Sequence, residues 1–448
     1  MNDQAAYIKS PTDIRSLVFL GIAAVAAGAL TGVIGAAFRQ GLVWLDEHRL
    51  ASIENLSQWP AVGWIVPVIA SGLAVAIARY LVTLGPEAGG SGVQYVEASV
   101  RKQIVPSRFR TIPIKFFGGL LAIGSGLALG REGPTVQMGA TIGSEVADKM
   151  RLTEDDQLTM QASAAGAGLA VAFNAPLGGS VFVLEELTKS IRLRLAIVTL
   201  LAAGTAVAVM RLIIGNNPDY SVGPNLDYAP WQLVLFFVFG LLAGLLSTYY
   251  NKTVIACIAI FDHFRSIPIL VRAAIVGAAV GLLCWFAPTM AGGGDNITQN
   301  ILYGTYPVLL LVGILILRWF LGSVSYSVGA PGGLFAPLLV LGAAAGAIFG
   351  GALAQLFPDA GINPVSFALV GMSSFFVGVV RTPLTGILLV VEMTAVSSQV
   401  IPMMIAAVGV VFVTTLLRSE PIYDTLRHQL IKSRNRHEEI NPALGAKD

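Results

Sequence analysis

Four apolar runs set the terms for this chain: Leu17 to Phe38, Trp231 to Tyr249, Leu334 to Phe357 and Leu384 to Leu417. Each is long enough to supply the 20 or so residues a helix needs to cross the hydrocarbon of a bilayer. The last holds a single charge, Glu392. In lipid only helices and closed barrels satisfy every backbone polar group, and no run shows the ten-residue alternation of a transmembrane barrel. Charged residues make up 12% of the chain, against about 25% in soluble domains. These observations predict an all-α polytopic membrane protein.

Other classes are excluded by what the sequence carries. A net charge of +2 gives no basis for binding nucleic acid. Cys257 and Cys284 lie in apolar surroundings, against a disulfide framework. His48, His263, His428 and His437 are scattered without metal-ligand spacing, so no metal and no cofactor is expected. There is no HExxH, no Walker-type loop and no Cys/His pairing, and the chain does not read as an enzyme. Met1 to Arg15 is polar without a signal-peptide pattern, and Leu17 to Phe38 is long enough to be a retained helix.

Interruptions of the apolar pattern come in matched pairs. Gly130-Arg131-Glu132-Gly133-Pro134 is followed by Gly139 and Gly143, and Gly333-Leu334-Phe335-Ala336-Pro337 by Gly342 and Gly346, at the same spacing. Pro176-Leu177 leads through Gly179 to Glu185, and Pro383-Leu384 through Gly386 to Glu392. Matched breaks in two halves point to a duplicated transporter core with its binding site at the breaks. The seam from Gly215 to Pro230 has Asp219 and Asp227 but no Lys or Arg. Lys9 and Arg15 precede the first run, and Arg418, Arg427, Lys432, Arg434, Arg436 and Lys447 follow the last. The positive-inside rule puts both termini in the cytoplasm and the seam outside, so the halves run antiparallel. The expected division is a cytoplasmic segment 1–15, a first repeat 16–215, an external linker 216–230, a second repeat 231–417 and a cytoplasmic segment 418–448.

An ionisable residue at membrane depth costs roughly 2.5–3.5 kcal/mol on insertion scales, which marks Glu132 as functional. Helices broken at the midplane aim backbone N–H groups and a partial positive charge inward, an anion site without a buried cation. A fixed cation would hold an anion too tightly to release it. Gly333 to Ala336 suits this role, as does Gly90-Ser91-Gly92, where a hydroxyl can donate.

At these residues the chain resembles the CLC family of chloride channels and chloride/proton antiporters. The family's anion-binding stretches appear as Gly90-Ser91-Gly92-Val93-Gln94, Gly130 to Pro134, and Gly332 to Pro337, with further similarity at Lys115 to Gly119 and Phe173 to Leu177. Gln94 departs from the proline usual in the family, which suggests a loop after Val93 that is looser or differently shaped. The resemblance implies two inverted-topology repeats whose broken, tilted helices meet at a midplane anion site. It implies that Ser91 and Tyr423 supply hydroxyls, and Leu334 and Phe335 amides, to the central anion, with Gly92 and Ala336 in the same stretches. Glu132 corresponds to the gating glutamate, and Glu186 to the inner proton-transfer acid of the family's transporters. Arg131, Gly133 and Lys115 are supporting residues.

Each residue also has a plainer role. Glu132 can pair with Arg131, Glu186 with Lys189 or sit at a solvated helix end; Tyr423 can belong to an interfacial belt, and Ser91 can be a cap. Glu185 and Glu392 read as structural. The functional expectation is a secondary active transporter exchanging chloride for protons, with a passive gated chloride channel as the alternative. Chloride, protons and the lipid bilayer are its partners, and the resemblance implies a homodimer. A short C-terminal segment, without the regulatory domain of many eukaryotic members, suggests a prokaryotic protein of the cell inner membrane.

Overall fold

A computed structural model describes residues 11–223 and 226–440. Residues 1–10, with Lys9, and 441–448, with Lys447, lie outside the described residues, as do the linker's Pro224 and Asn225.

The first half contains α1 (Pro11–Leu56), α2 (Ile65–Leu84), α3 (Val93–Val100), α4 (Thr111–Gly124), α5 (Glu132–Lys149), α6 (Glu154–Phe173), α7 (Pro176–Phe182) and α8 (Leu193–Ile214). The second contains α9 (Leu233–His263), α10 (Ile269–Phe286), α11 (Asp295–Leu302), α12 (Val308–Ser327), α13 (Phe335–Leu356), α14 (Pro364–Val380), α15 (Pro383–Thr394) and α16 (Val400–Leu416). A final helix, α17 (Ile422–Ile440), follows. The order of long and short helices repeats. So does the packing: α1 lies on α8 as α9 lies on α16, and α5 on α6 as α13 on α14. Across the two halves, α2 meets α10 and α7 meets α15.

Among the described residues, seven helices are long and apolar enough to cross a membrane. Over its most apolar window α13 is 78% buried, whereas α10 is 28% buried, so α13 runs through the centre and α10 along the periphery. At 46 residues, α1 measures about 70 Å at 1.5 Å per residue, far more than the hydrocarbon layer. The run from Leu384 to Leu417, read above as one span, is two helices separated at Ala395, whose φ of 55° breaks the α conformation.

Local sequence explains the breaks. Asn174 ends α6 and Arg381 ends α14, each in the left-handed conformation, and each is followed two residues later by the proline that opens the next helix. The matched glycines have a packing role. A methyl on Gly139 would meet the Ala164 carbonyl, one on Gly342 the Gly371 carbonyl, and one on Gly346 the Phe367 carbonyl. Such small residues let two helix backbones touch in a membrane, where area burial alone does not drive association.

Candidate functional site

The two matched glycine breaks join each other. Gly130 N donates to Gly333 O at 2.8 Å, and Gly333 N donates back to Gly130 O at 2.8 Å. This isolated antiparallel bridge holds the first turns of α5 and α13 side by side at the centre of the molecule. The third break packs against them: Gly90 N donates to Gly329 O, and Gly332 N to Gly90 O. Ser91 is seated so closely on Gly133 that a methyl there would strike the Ser91 side chain. Three chain breaks far apart in sequence thus share one small volume.

That volume is built from backbone. The leading N–H groups of α5 and α13 have no intrahelical partners and face inward with the positive ends of their helices. Ser91 Oγ and Tyr423 Oη are buried, lie against each other, and have no hydrogen-bond partner of good geometry among the described residues. Buried hydroxyls are ordinarily hydrogen-bonded, so two left open side by side are an exception. Rings close around the start of α13: Phe335 stacks on Phe376 at 5.1 Å and meets Tyr423 at 5.5 Å, Phe182 at 5.9 Å and Phe173 at 6.2 Å. The burial of Tyr423, 0% exposed, is incompatible with an interfacial belt.

Glu132 opens α5 and is buried at 1% exposure. Its carboxylate lies against the Gly130 backbone, within reach of the N–H groups of Glu132 and Ala336, and Oε2 has no partner among the described residues. Arg131 turns away from it. Its Nε donates to Ala172 O at 3.0 Å, Nη1 to Asp295 Oδ2 at 3.1 Å and Nη2 to Asp219 Oδ2 at 3.3 Å. Beyond Glu132 is a vestibule of about 240 Å³ lined by Gly130, Arg131, Ala336, Asp46, Glu47 and Asp295.

Lys115 does not enter the volume. Its Nζ donates to Gly90 O at 2.6 Å and so holds the Ser91 loop. That tether, with the bonds of Gly90 to Gly329 and Gly332, keeps the loop in place although Gln94 replaces proline. Gly92, with φ of 89°, caps α3 in a conformation natural to glycine, where any Cβ would also collide with Gln137.

Glu185 and Glu186 fall in a π-helical turn, Val183–Leu187, rather than in a regular α-helix. π-Turns are uncommon and often mark functional positions. The turn separates the two carboxylates completely. Glu185 accepts from Leu384 N and Thr385 N at the start of α15. Glu186 is 1% exposed and its Oε1 has no partner among the described residues. It does not pair with Lys189, which bonds Asp424 at 3.1 Å.

A buried ionic group beside Glu186 escaped the sequence reading. Glu97, 0% exposed, pairs with Arg101 at 2.5 Å and Arg427 at 3.5 Å. Arg427 in turn bonds Asp424 at 2.7 Å. Partial burial pushes the Asp424 carboxyl up, but hydrogen bonds from Arg427 and Lys189 outweigh it and hold the group down at about 2. The pairs Glu97–Arg101 and Asp424–Arg427 lie within one helical turn each, but nothing local in the sequence brings α3 and α17 together. Asp219 and Asp295, the partners of Arg131, were missed for the same reason.

Two inverted repeats with helix ends converging on a cage of amides and hydroxyls, and a carboxylate lodged at it, define a polytopic ion-transport protein. Residues 69–415 match the family described as voltage gated chloride channel, and the chain belongs to that family. It is 36% identical over 423 residues to the H(+)/Cl(-) exchange transporter ClcA of Salmonella typhimurium, covering 92% of this chain and 89% of the relative. It is 37% identical over 421 residues to ClcA of Vibrio parahaemolyticus, covering 92% and 90%. Among solved structures, a slow cyanobacterial Cl-/H+ antiporter superposes with a TM-score of 0.88 at 29% identity, covering 93% of this chain and 99% of that one. A eukaryotic CLC transporter, with a TM-score of 0.80 at 22% identity over 94% of this chain and 75% of that one, shares the fold.

Proposed function

We propose that this protein is a secondary active transporter that exchanges chloride for protons. The observation that carries the reading is the Glu132 carboxylate lying at the amide cage between the first turns of α5 and α13. A carboxylate and a chloride ion are both anions, and at low dielectric they repel by several kcal/mol when forced into one space. Protonation removes the charge of Glu132 and lets it swing into the vestibule, so chloride entry and proton uptake use the same side chain. The central chloride is held by Ser91, Tyr423 and the amides of Leu334 and Phe335, with Gly92 and Ala336 shaping the path. Backbone dipoles bind the ion firmly enough to select it and weakly enough to release it.

Glu186 supplies protons to Glu132 from the opposite side, and Tyr423 lies within electrostatic reach of both acids. Arg131, Gly133 and Lys115 support the cage. Residues 16–215 and 231–417 form the two repeats, joined by an external linker at 216–230, and residues 418–448 bring Tyr423 to the site. The protein works in the cell inner membrane with both termini cytoplasmic, as a homodimer with one pathway in each subunit. The relatives' activity as H(+)/Cl(-) exchangers supports coupled exchange over a passive channel.

Reversal potentials in liposomes with opposed chloride and pH gradients test this. An exchanger reverses at a potential set by both gradients; reversal at the chloride potential alone means a channel and overturns the reading. With Glu132→Gln, chloride flux persists and chloride-driven proton movement disappears.

A further inference from the structure

The segment between the repeats is bonded into both of them. Asn174 Nδ2 donates to Asn217 O, and Tyr220 N donates to Met393 O. Ser221 N donates to Gln299 Oε1 while Gln299 Nε2 donates back to Ser221 O. Gln399 Nε2 donates to Leu226 O. A further attachment is made by Asp219, whose side chain is 3% exposed. Its two oxygens meet Arg39 on α1 at 2.8 Å and Arg131 at 3.3 Å. Tyr220 Oη donates at 2.9 Å to Asp295, the second acid on Arg131.

We propose that Asp219 is a positioning residue for the gate: with Asp295 it holds and neutralises the Arg131 guanidinium, so that the charged Glu132 carboxylate competes with chloride for the cage instead of being stabilised by its neighbour. This rests on reading Glu132 as the gate. The physical need is plain. Arg131 is the residue next to Glu132, and an uncompensated cation there would favour the charged carboxylate in a region of low dielectric. The other charged or titratable groups on this side are Asp46, Glu47 and Arg49 on α1, Tyr220 in the linker, and Arg318 on α12, a buried guanidinium that donates to the carbonyls of Gly292 and Gly293 just before Asp295. Tyr423 is in electrostatic reach from α17. Neither α13 nor the half of α6 nearest Ala172 has an ionisable side chain. No other linker carboxylate takes the place of Asp219 on Arg131 among the described residues.

The test is the external-pH profile of chloride flux in oriented liposomes for Asp219→Asn, with Asp295→Asn as a second variant whose side chain is half exposed and less bound to folding. Each is expected to move the pH of half-maximal flux to more acid values, by roughly one unit for Asp219→Asn, and Asp219→Glu to restore it. In a Glu132→Gln background Asp219→Asn is expected to cause no shift. An unchanged profile in the folded single variants, or a shift that survives Glu132→Gln, overturns the proposal. The gate assignment itself fails separately, if Glu132→Gln alone still moves protons.

Discussion

Glu185 and Glu392 each close the other half's broken helix. Glu185 receives the N–H groups of Leu384 and Thr385 at 3.1 and 2.8 Å, and Glu392 those of Leu177 and Gly178 at 3.1 and 2.7 Å. A carboxylate at a helix N-terminus satisfies orphan donors and meets the positive end of the dipole. Removing either acid should therefore loosen the joint between α7 and α15. Glu392→Ala is expected to lower thermal stability in detergent by about 1–2 kcal/mol, with coupling in the surviving folded protein retained. Glu185→Ala should cost about as much. A melting temperature equal to that of the unmodified protein in both would remove the caps from the account.

Glu186 sits one residue from this anchored acid yet has an unpartnered oxygen. Glu186→Gln should abolish proton movement under a chloride gradient while chloride still flows and Glu132 stays intact. Proton flux measured beside chloride flux decides it. Retained coupling would show that protons take another route.

Helix contact at the matched glycines makes a sharper claim about packing. Gly346→Ala places a methyl against the Phe367 carbonyl, and overpacking of this kind costs about 1–3 kcal/mol. Gly204, on α8, has nothing within 4 Å of its added methyl. Gly204→Ala should be neutral or stabilising by up to about 1 kcal/mol through helix propensity. Thermal unfolding of the pair separates the two; equal stability would mean the α13 and α14 backbones are not in contact.

The Asp424 carboxyl, held at about 2 against partial burial by Arg427 and Lys189, gives a pH dependence with a definite sign. A carboxyl lower in the folded than in the unfolded state stabilises above its ordinary value near 3.9 and loses that contribution as pH falls through its folded value. Asp424→Asn should melt lower than the unmodified protein at pH 7, by about 1 kcal/mol. The gap should shrink as pH falls from about 5 toward 2. Melting curves over that range check this, and a gap constant with pH would contradict it.

What the sequence made legible follows from distance along the chain. Spacing of Gly and Pro over a dozen residues revealed the broken helices, because such breaks are written locally. The matching of two such blocks revealed the repeat. The same reading assigned Glu185 and Glu392 a structural role but not their partners, which lie 199 to 215 residues away. Arg131 lies in a locally legible break, yet its acids are 88 and 164 residues distant, one of them in the connector between the repeats. Ala395 was invisible for a different reason: an alanine in the left-handed conformation is imposed by tertiary context and has no local signature.

The exchange of both hydrogen bonds between Gly130 and Gly333 has a consequence for how such a chain arises. Each glycine meets its own counterpart from the other repeat, so the contact is isologous, the kind made by two identical surfaces about a twofold axis. A single repeat inserted in both orientations would already possess the halves of this joint, and two copies would complete it without a new residue. Fusion through a connector would preserve a centre that belongs to neither half, so a site built there requires both.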